Sequence, residues 1–158
     1  MNTNQVLDMV SNDDQIFLSS LYEQLRKDLI IEELPIVFES MEEDSKVVLP
    51  TQVCQAKIVI NEKYKGNALE IAKNLCFQDR KIYQIEYASF IDKTFNTNWV
   101  KELRNEVPED EKILDLDAYA YTRYFLKEYF NIDVTYPNEA YEQSIEEYIK
   151  NFKLLLEC

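Results

Sequence analysis

Histidine is absent from this chain, and glycine and proline are scarce: the sequence has one Gly and four Pro in 158 residues. Without His, the chain lacks His-based metal sites, Ser-His and Cys-His nucleophile pairs, and the commonest general base. Few turn-forming residues favour long helices over a β-sandwich or barrel. The three cysteines are odd in number and lack C-x-x-C spacing. They argue against a disulfide framework or a zinc knuckle and fit a reducing cytoplasm.

The chain is rich in apolar residues and strongly acidic. Apolar residues make up 46%, enough for a core, and the length predicts a single domain over 1–158 with a flexible start at 1–12. The net charge of −13 disfavours direct binding to nucleic acid or to an anionic membrane and favours a protein partner with a basic surface. No signal peptide opens the chain, and no apolar run approaches the roughly 20 residues that span a bilayer. We therefore expect a cytoplasmic protein.

Hydrophobic periodicity predicts an α+β fold dominated by helices, with a small two- or three-stranded sheet. Helical patterns cover four segments, the last of them amphipathic: 13–30, 66–90, 114–130 and 138–158. Strand patterns cover three short segments: 34–38, 47–49 and 55–61. Apolar residues at helical spacing are expected in the core, among them Ile16 and Leu21 in the first helix and Leu69 and Leu75 in the second.

The helix predicted over 66–90 carries the most informative pattern in the chain. Within it, residues 77–84 read FQDRKIYQ. This octet resembles the zinc-binding helix H-E-x-R-H-x-Y-Q of small phage- and plasmid-borne HExxH metallopeptidases, which it matches at its Arg, Tyr and Gln. The three residues that would perform the chemistry differ: Phe77 replaces the first His, Gln78 the Glu, and Lys81 the second His.

Further segments resemble the same family in the same order along the chain. They are the strand IVIN at 58–61, a connection containing Trp99, and the motif DLDA at 115–118. In the last of these, Asp115 takes the position of the third zinc ligand, which is a Glu in the family. The resemblance implies that the helix over 114–130 packs against the central helix as a zincin-like pair.

The substitutions imply that the scaffold has lost its metal chemistry. Two His at i and i+4 share one helix face and reach one Zn²⁺, and the neighbouring Glu activates the bound water. Phe77 has no ligand atom, Gln78 cannot act as a base, and Lys81 repels a divalent cation. We predict no catalytic residue, no metal and no cofactor, and a vestigial site of Phe77, Gln78, Lys81 and Asp115 in which Lys81 pairs with Asp115. The alternative is a chance match on an ordinary helix, with Phe77 in the core and Lys81 in solvent.

Two groups of carboxylates are candidate partner-binding surfaces. One occupies the loop after the first strand: Glu39, Glu42, Glu43 and Asp44. The other lies on the last helix: Glu139, Glu142, Glu146 and Glu147. Carboxylates on a rigid surface can imitate the phosphates of a nucleic acid and occupy a basic groove.

These observations predict a non-catalytic binding or inhibitor protein on a metallopeptidase-like scaffold, of phage or mobile-element origin. Its expected partner is a nucleic-acid-binding defence enzyme, blocked by charge mimicry in the host cytoplasm. Three alternatives remain open. The carboxylates can be merely solvated, the chain can be an enzyme with an unrecognised carboxylate site, or it can be a structural protein that forms a homo-oligomer through its last helix.

Overall fold

The computed structural model describes residues 12–31, 33–48, 50–53, 55–84, 113–136 and five positions between 142 and 149. These residues form an α+β fold with a small sheet, as predicted. In chain order the elements are α1 (Asn12–Leu29), β1 (Ile36–Glu39), β2 (Ser45–Val48), β3 (Lys57–Asn61), a 3₁₀ turn (Glu62–Tyr64), α2 (Ala68–Tyr83) and α3 (Ile113–Phe130). The chain divides into two compact units, Met1–Tyr83 and Gln84–Cys158.

In the first unit, β3 is the central strand of a three-stranded sheet with the order β1-β3-β2. β1 pairs with β3 in parallel and β2 pairs with it in antiparallel. The segment between β1 and β2 therefore crosses over the end of β3. Ile58, Val59 and Ile60 are all fully buried. A central strand with both faces covered reads as a short apolar run, and this is why the IVI of β3 lacks a solvent-facing residue.

Helix α1 packs against α2. The buried stripe of α1 consists of Leu18, Leu21, Tyr22, Leu25 and Leu29. The predicted burial of Ile16 is wrong, because Ile16 lies about 200° around the helix from Leu18 and is 68% exposed. The predicted burial of Leu69 is also wrong: it lies in the first turn of α2, next to the exposed turn at Gly66, and is 42% exposed.

Helices α1 and α3 both end with a residue in the left-handed region, Ile30 at φ 53° and Asn131 at φ 54°. In each case the backbone N–H donates to the carbonyl four residues earlier, Arg26 at 2.9 Å and Lys127 at 3.1 Å. Asn adopts this conformation readily, whereas a β-branched residue is strained in it. Ile30 is also 75% exposed, so little burial offsets the strain.

In the second unit, α3 is buried on several sides, as its apolar and aromatic sequence predicts. Fully buried side chains include Leu114, Ala118, Phe125 and Leu126. The described positions between 142 and 149 are helical, and Ile145 and Ile149 among them pack against Ala120. These contacts give the unit an apolar core of its own.

Several predictions concern residues outside the described ranges: the start at 1–11, the end of the central helix at 85–90, Trp99, and most of 138–158. The acidic loop is shorter than predicted, since Glu39 ends β1 and Ser45 begins β2. The single-domain prediction and the zincin-like pairing of α2 with α3 stay predictions. None of the helices in the described part of the chain is both long and apolar enough to cross a membrane.

Candidate functional site

Phe77 and Lys81, which by the resemblance take the positions of zinc-binding His residues, contact each other on α2. Phe77 and Lys81 are both half-buried, and Lys81 Nζ lies 5.5 Å from the centroid of the Phe77 ring. Residues at i and i+4 are neighbours on a helix face, and an ammonium at this distance from a ring makes a cation–π contact. The spacing that would hold a metal thus holds a cation–aromatic pair.

Gln78, at the position of the catalytic Glu, belongs to a polar network between α2 and β2. Its Nε2 donates to Ser45 Oγ at 2.9 Å, and Ser45 Oγ donates to Asn74 Oδ1 at 2.7 Å. Asn74 in turn donates to the carbonyl of Glu70 at 2.8 Å. Buried amides require such partners, and Gln78 is only 5% exposed. The amide at this position therefore has a structural role.

The donor set at these positions does not fit a zinc ion. Phe77 supplies no ligand atom, Gln78 is committed to Ser45, and Lys81 brings a positive charge. Across the described ranges, no group of three or more Cys, Asp and Glu side chains lies close enough to hold a metal ion. Asp115, the fourth predicted position, is half-buried on α3 in the other unit, so its pairing with Lys81 stays a prediction.

Two residues that match the family pattern bond to each other within the second unit. Gln84 Nε2 donates to Asp117 Oδ2 at 2.7 Å and to the carbonyl of Leu114 at 2.9 Å. Gln84 is 2% and Asp117 6% exposed. Gln84 Oε1 is buried without a hydrogen-bond partner in the described part of the chain.

A buried carboxyl that the sequence analysis missed lies on α2, away from the Phe77–Lys81 pair. Asp79 is 2% exposed, and its Oδ2 has no hydrogen-bond partner among the described residues. Burial raises the pKa of Asp79 to about 8. The burial of Asp79 could have been predicted from helical spacing, because position 79 lies in the stripe formed by Leu75, Cys76 and Ile82.

Asn61, the last residue of β3, forms hydrogen bonds to the backbone of the acidic loop between β1 and β2. Asn61 Nδ2 donates to the carbonyls of Met41 at 2.8 Å and Glu43 at 3.0 Å. The backbone N–H of Asn61 donates to the carbonyl of Asp44 at 2.8 Å. Its Oδ1 accepts from the backbone N–H of Lys63 at 3.1 Å and so caps the 3₁₀ turn. One buried amide therefore fixes the backbone of the loop.

The carboxylates of this loop differ in how they are paired. Asp44 accepts from the hydroxyl of Tyr64 at 2.7 Å and lies 3.6 Å from Lys63 Nζ. Burial and the hydrogen bond to Asp44 raise the pKa of Tyr64 to about 12. Glu42 and Glu43 are exposed and form no ion pair with any residue the structure describes. Two free carboxylates thus project from a fixed loop.

Glu39, the remaining member of that group, lies 3.6 Å from Lys57 Nζ across the parallel pair of strands. Both side chains are substantially exposed, so the pair contributes little to stability. The positive charge of Lys57 compensates the negative charge of Glu39 at the edge of the loop. The free charge is therefore concentrated at Glu42 and Glu43.

Two of the four carboxylates predicted on the last helix, Glu142 and Glu146, form ion pairs within the protein. Arg123, whose side chain is 11% exposed, donates to Glu142 at 2.5 Å and to Glu146 at 3.2 Å. It also donates to the carbonyl of Val134 at 2.9 Å. Hydrogen bonds from Arg123 and from the backbone N–H of Tyr136 lower the pKa of Glu142, against an opposing effect of burial. Glu139 and Glu147 lie outside the described residues.

A cavity of about 440 Å³ adjoins this cluster in the second unit. Its charged lining residues largely pair with one another: Arg123 with the two glutamates, and Lys127 with Asp133 at 3.1 Å. Tyr124 and Ile149 provide apolar wall. Neither Arg123 nor Lys127 is free to receive an anionic ligand without breaking an ion pair.

We compared the chain with protein-family models, with curated proteins and with solved structures, and none of the three comparisons found a match. The resemblance to HExxH proteins therefore rests on the sequence patterns alone: the octet at 77–84, the strand at 58–61, the connection containing Trp99 and the motif at 115–118.

Proposed function

We propose that this chain is a non-catalytic acidic protein that binds a protein partner with a basic surface, and that the acidic loop is its docking surface. The observation that carries the proposal is the anchoring of the loop by Asn61. A fixed backbone loses less conformational entropy when a partner binds. The free carboxylates of Glu42 and Glu43 supply the charge that attracts a basic partner.

The charge of the whole chain supports the same proposal. At −13 the protein attracts basic surfaces and repels nucleic acid and anionic membranes. The finer form of the proposal is that the partner is a nucleic-acid-binding defence enzyme, and that the loop occupies the groove that normally receives phosphates. A phage or mobile-element origin agrees with the resemblance at 77–84.

The non-catalytic part of the proposal is supported by the side chains at the ligand positions. Lys81 and Phe77 form a cation–π contact, and Gln78 donates to Ser45. Each has a role in the packing of α2 that needs no substrate. The second carboxylate group adds less to docking, because Arg123 compensates part of the charge of Glu142 and Glu146.

The test compares capture of a partner from a host lysate by the wild-type chain, by Glu42→Lys with Glu43→Lys, and by Glu128→Lys. Glu128 is an exposed carboxylate on α3, and its reversal is the control for a change of charge outside the loop. We expect the wild type and the control to retain the same partner and the loop variant to lose it. Retention should also fall between 0.15 M and 1 M salt, where the Debye length shrinks from about 8 Å to about 3 Å.

A further variant tests whether the fixed conformation of the loop matters in addition to its charge. Asn61→Asp keeps an acceptor for Lys63 N–H but cannot donate to Met41 and Glu43, so the loop loses its anchor while the carboxylates remain. We expect weaker capture than by the wild type, even though the variant is more acidic. Two results contradict the proposal and indicate docking through an apolar surface. One is that both loop variants capture the partner as well as the wild type does, and the other is that capture does not depend on salt.

A further inference from the structure

Asp79 is an acidic residue in the apolar contact between α1 and α2. It lies on the α2 stripe with Leu75 and Cys76, both 2% exposed or less, and its Oδ2 has no hydrogen-bond partner in the described part of the chain. Across the contact, Tyr22 of α1 is 5% exposed, and the charge of Asp79 adds to burial in raising the pKa of Tyr22. A carboxyl, a phenol and a thiol thus share one apolar helix contact.

The groups around Asp79 do not neutralise a negative charge there. From α1 and the residue stretch after it, Arg26, Asp28 and Glu33 act electrostatically on Tyr22 or Cys76. β2, β3 and the 3₁₀ turn also pack on α2. Their charged side chains lie at or near the surface: Lys46, Lys57, Glu62 and Lys63. No cation in the described ranges forms an ion pair with Asp79.

An ionised carboxylate without a partner is very costly in an apolar contact, whereas a protonated carboxyl is tolerated. In the unfolded chain an Asp releases its proton near pH 3.9. In the folded unit, burial raises the pKa of Asp79 to about 8. Burial also raises the pKa values of Cys76 and Tyr22, so both neighbours keep their protons at neutral pH.

We propose that the α1–α2 contact is a proton-dependent switch, in which protonated Asp79 keeps the two helices packed and loss of its proton releases α1. The sign follows from proton linkage. Between the unfolded and folded pKa values the packed state binds one more proton than the open state, so opening becomes more favourable as pH rises. The opening equilibrium constant increases up to tenfold per pH unit and levels off above about pH 8.

The first test is hydrogen exchange of the α1 amides, measured by NMR between pH 6 and pH 9 and corrected for the intrinsic exchange rate. In the wild type we expect the opening equilibrium constant to rise by roughly tenfold per unit up to about pH 8. Asp79→Asn removes the titrating group while preserving the shape of the side chain, so its opening should not depend on pH below about pH 8, where the thiol of Cys76 stays protonated in the packed and open states. Asp13→Asn, an exposed change on α1, should behave like the wild type.

The second test needs no variant. The ¹³C shift of the Asp79 carboxyl in the wild-type chain should titrate with a midpoint near pH 8. A midpoint near pH 4 overturns the proposal, as does a pH-dependent opening of α1 that persists unchanged in Asp79→Asn.

Discussion

Gln84 Nε2 donates a hydrogen bond to Asp117 Oδ2 at 2.7 Å, joining two buried residues that are 33 positions apart in the chain. Gln84 belongs to the octet that resembles a zinc-binding helix, and Asp117 to the motif that resembles its third-ligand segment. The residues that match the family pattern, but would not themselves bind the metal, here form a structural contact. Phe77, Gln78 and Lys81, which differ from the family pattern, make contacts of their own on α2.

Replacing Gln84 by Met should destabilise the second unit by about 1–3 kcal/mol, because the change leaves the buried carbonyl of Leu114 and a carboxylate oxygen of Asp117 without this donor. Denaturant unfolding followed by circular dichroism measures the effect. Gln52→Met, at an exposed position, is the control and should change stability by less than about 0.5 kcal/mol. Equal effects for the two variants would mean that the contact does not stabilise the fold.

The resemblance itself can be tested by restoring the two ligand positions. Phe77→His combined with Lys81→His places two imidazoles at i, i+4 spacing. On a metallopeptidase-like scaffold, Asp115 should provide a third ligand, and adding Asp115→Asn should weaken Zn²⁺ binding at least about tenfold, or 1.4 kcal/mol. Calorimetric titration measures this affinity. If Asp115→Asn has no effect, the His pair is an isolated two-ligand site and the resemblance is due to chance.

The zinc content of the wild-type chain tests the same interpretation. We expect elemental analysis of protein purified without chelator to find no stoichiometric zinc, because Phe77 and Lys81 occupy the ligand positions. A full equivalent of zinc would contradict the vestigial-site interpretation.

Local patterns were sufficient to predict the helices and the presence of a small sheet. Periodicity identified α1 and α3 to within one or two residues, because each buries a wide apolar stripe. It failed at Ile16, which lies on the opposite face of the helix from Leu18, since an exposed apolar residue cannot be told from a core residue without knowing which face meets a neighbouring element. The order β1-β3-β2 depends on pairing between distant segments, which no local pattern specifies.

The same limit applies to the candidate site. Asp79 was overlooked because a charged residue is expected in solvent, and only its position in the stripe of Cys76 and Ile82 indicates otherwise. The engagement of Glu142 with Arg123 joins residues 19 positions apart and depends on how the chain folds back after α3. The sequence predicted an acidic loop between two strands, with bounds longer than the observed ones, but gave no sign of its anchor Asn61.

The strained end of α1 predicts a stabilising substitution. Ile30→Gly should raise the free energy of unfolding by up to about 1 kcal/mol: relief of 1–2 kcal/mol of left-handed strain outweighs the extra backbone freedom of Gly in the unfolded chain. Asn131→Gly, at the equivalent position of α3, should change stability by much less, since Asn tolerates this conformation. Thermal unfolding measures both. A destabilised Ile30→Gly would show that contacts of the Ile side chain outweigh its backbone strain.

Loss of Arg123 should alter both the stability of the second unit and its dependence on pH. Arg123→Met removes the donor to Glu142, Glu146 and Val134, at a cost of about 1–3 kcal/mol at neutral pH. Because the folded protein lowers the pKa of Glu142, this contribution is present above the ordinary Glu pKa of 4.5 and is lost as pH falls through the lowered value.

The difference between wild type and Arg123→Met should therefore shrink as pH falls below 4.5, as measured by urea unfolding at a series of pH values. Arg26→Met, at a half-exposed surface pair with Glu33, is the control and should have little effect at any pH. A difference that stays constant down to pH 2 would show that Arg123 acts through packing and not through its charge.

The central position of β3 determines when the sheet and the acidic loop can form during synthesis of the chain. Among the described strands β3 is the last to be synthesised, yet it lies between β1 and β2, and its final residue is Asn61. A nascent chain that ends before residue 57 holds two strands that lack their common partner and an acidic loop that lacks its anchor. Insertion of the central strand completes the sheet and shapes the charged surface in one event. The docking surface proposed above is therefore complete only in a chain whose sheet has formed.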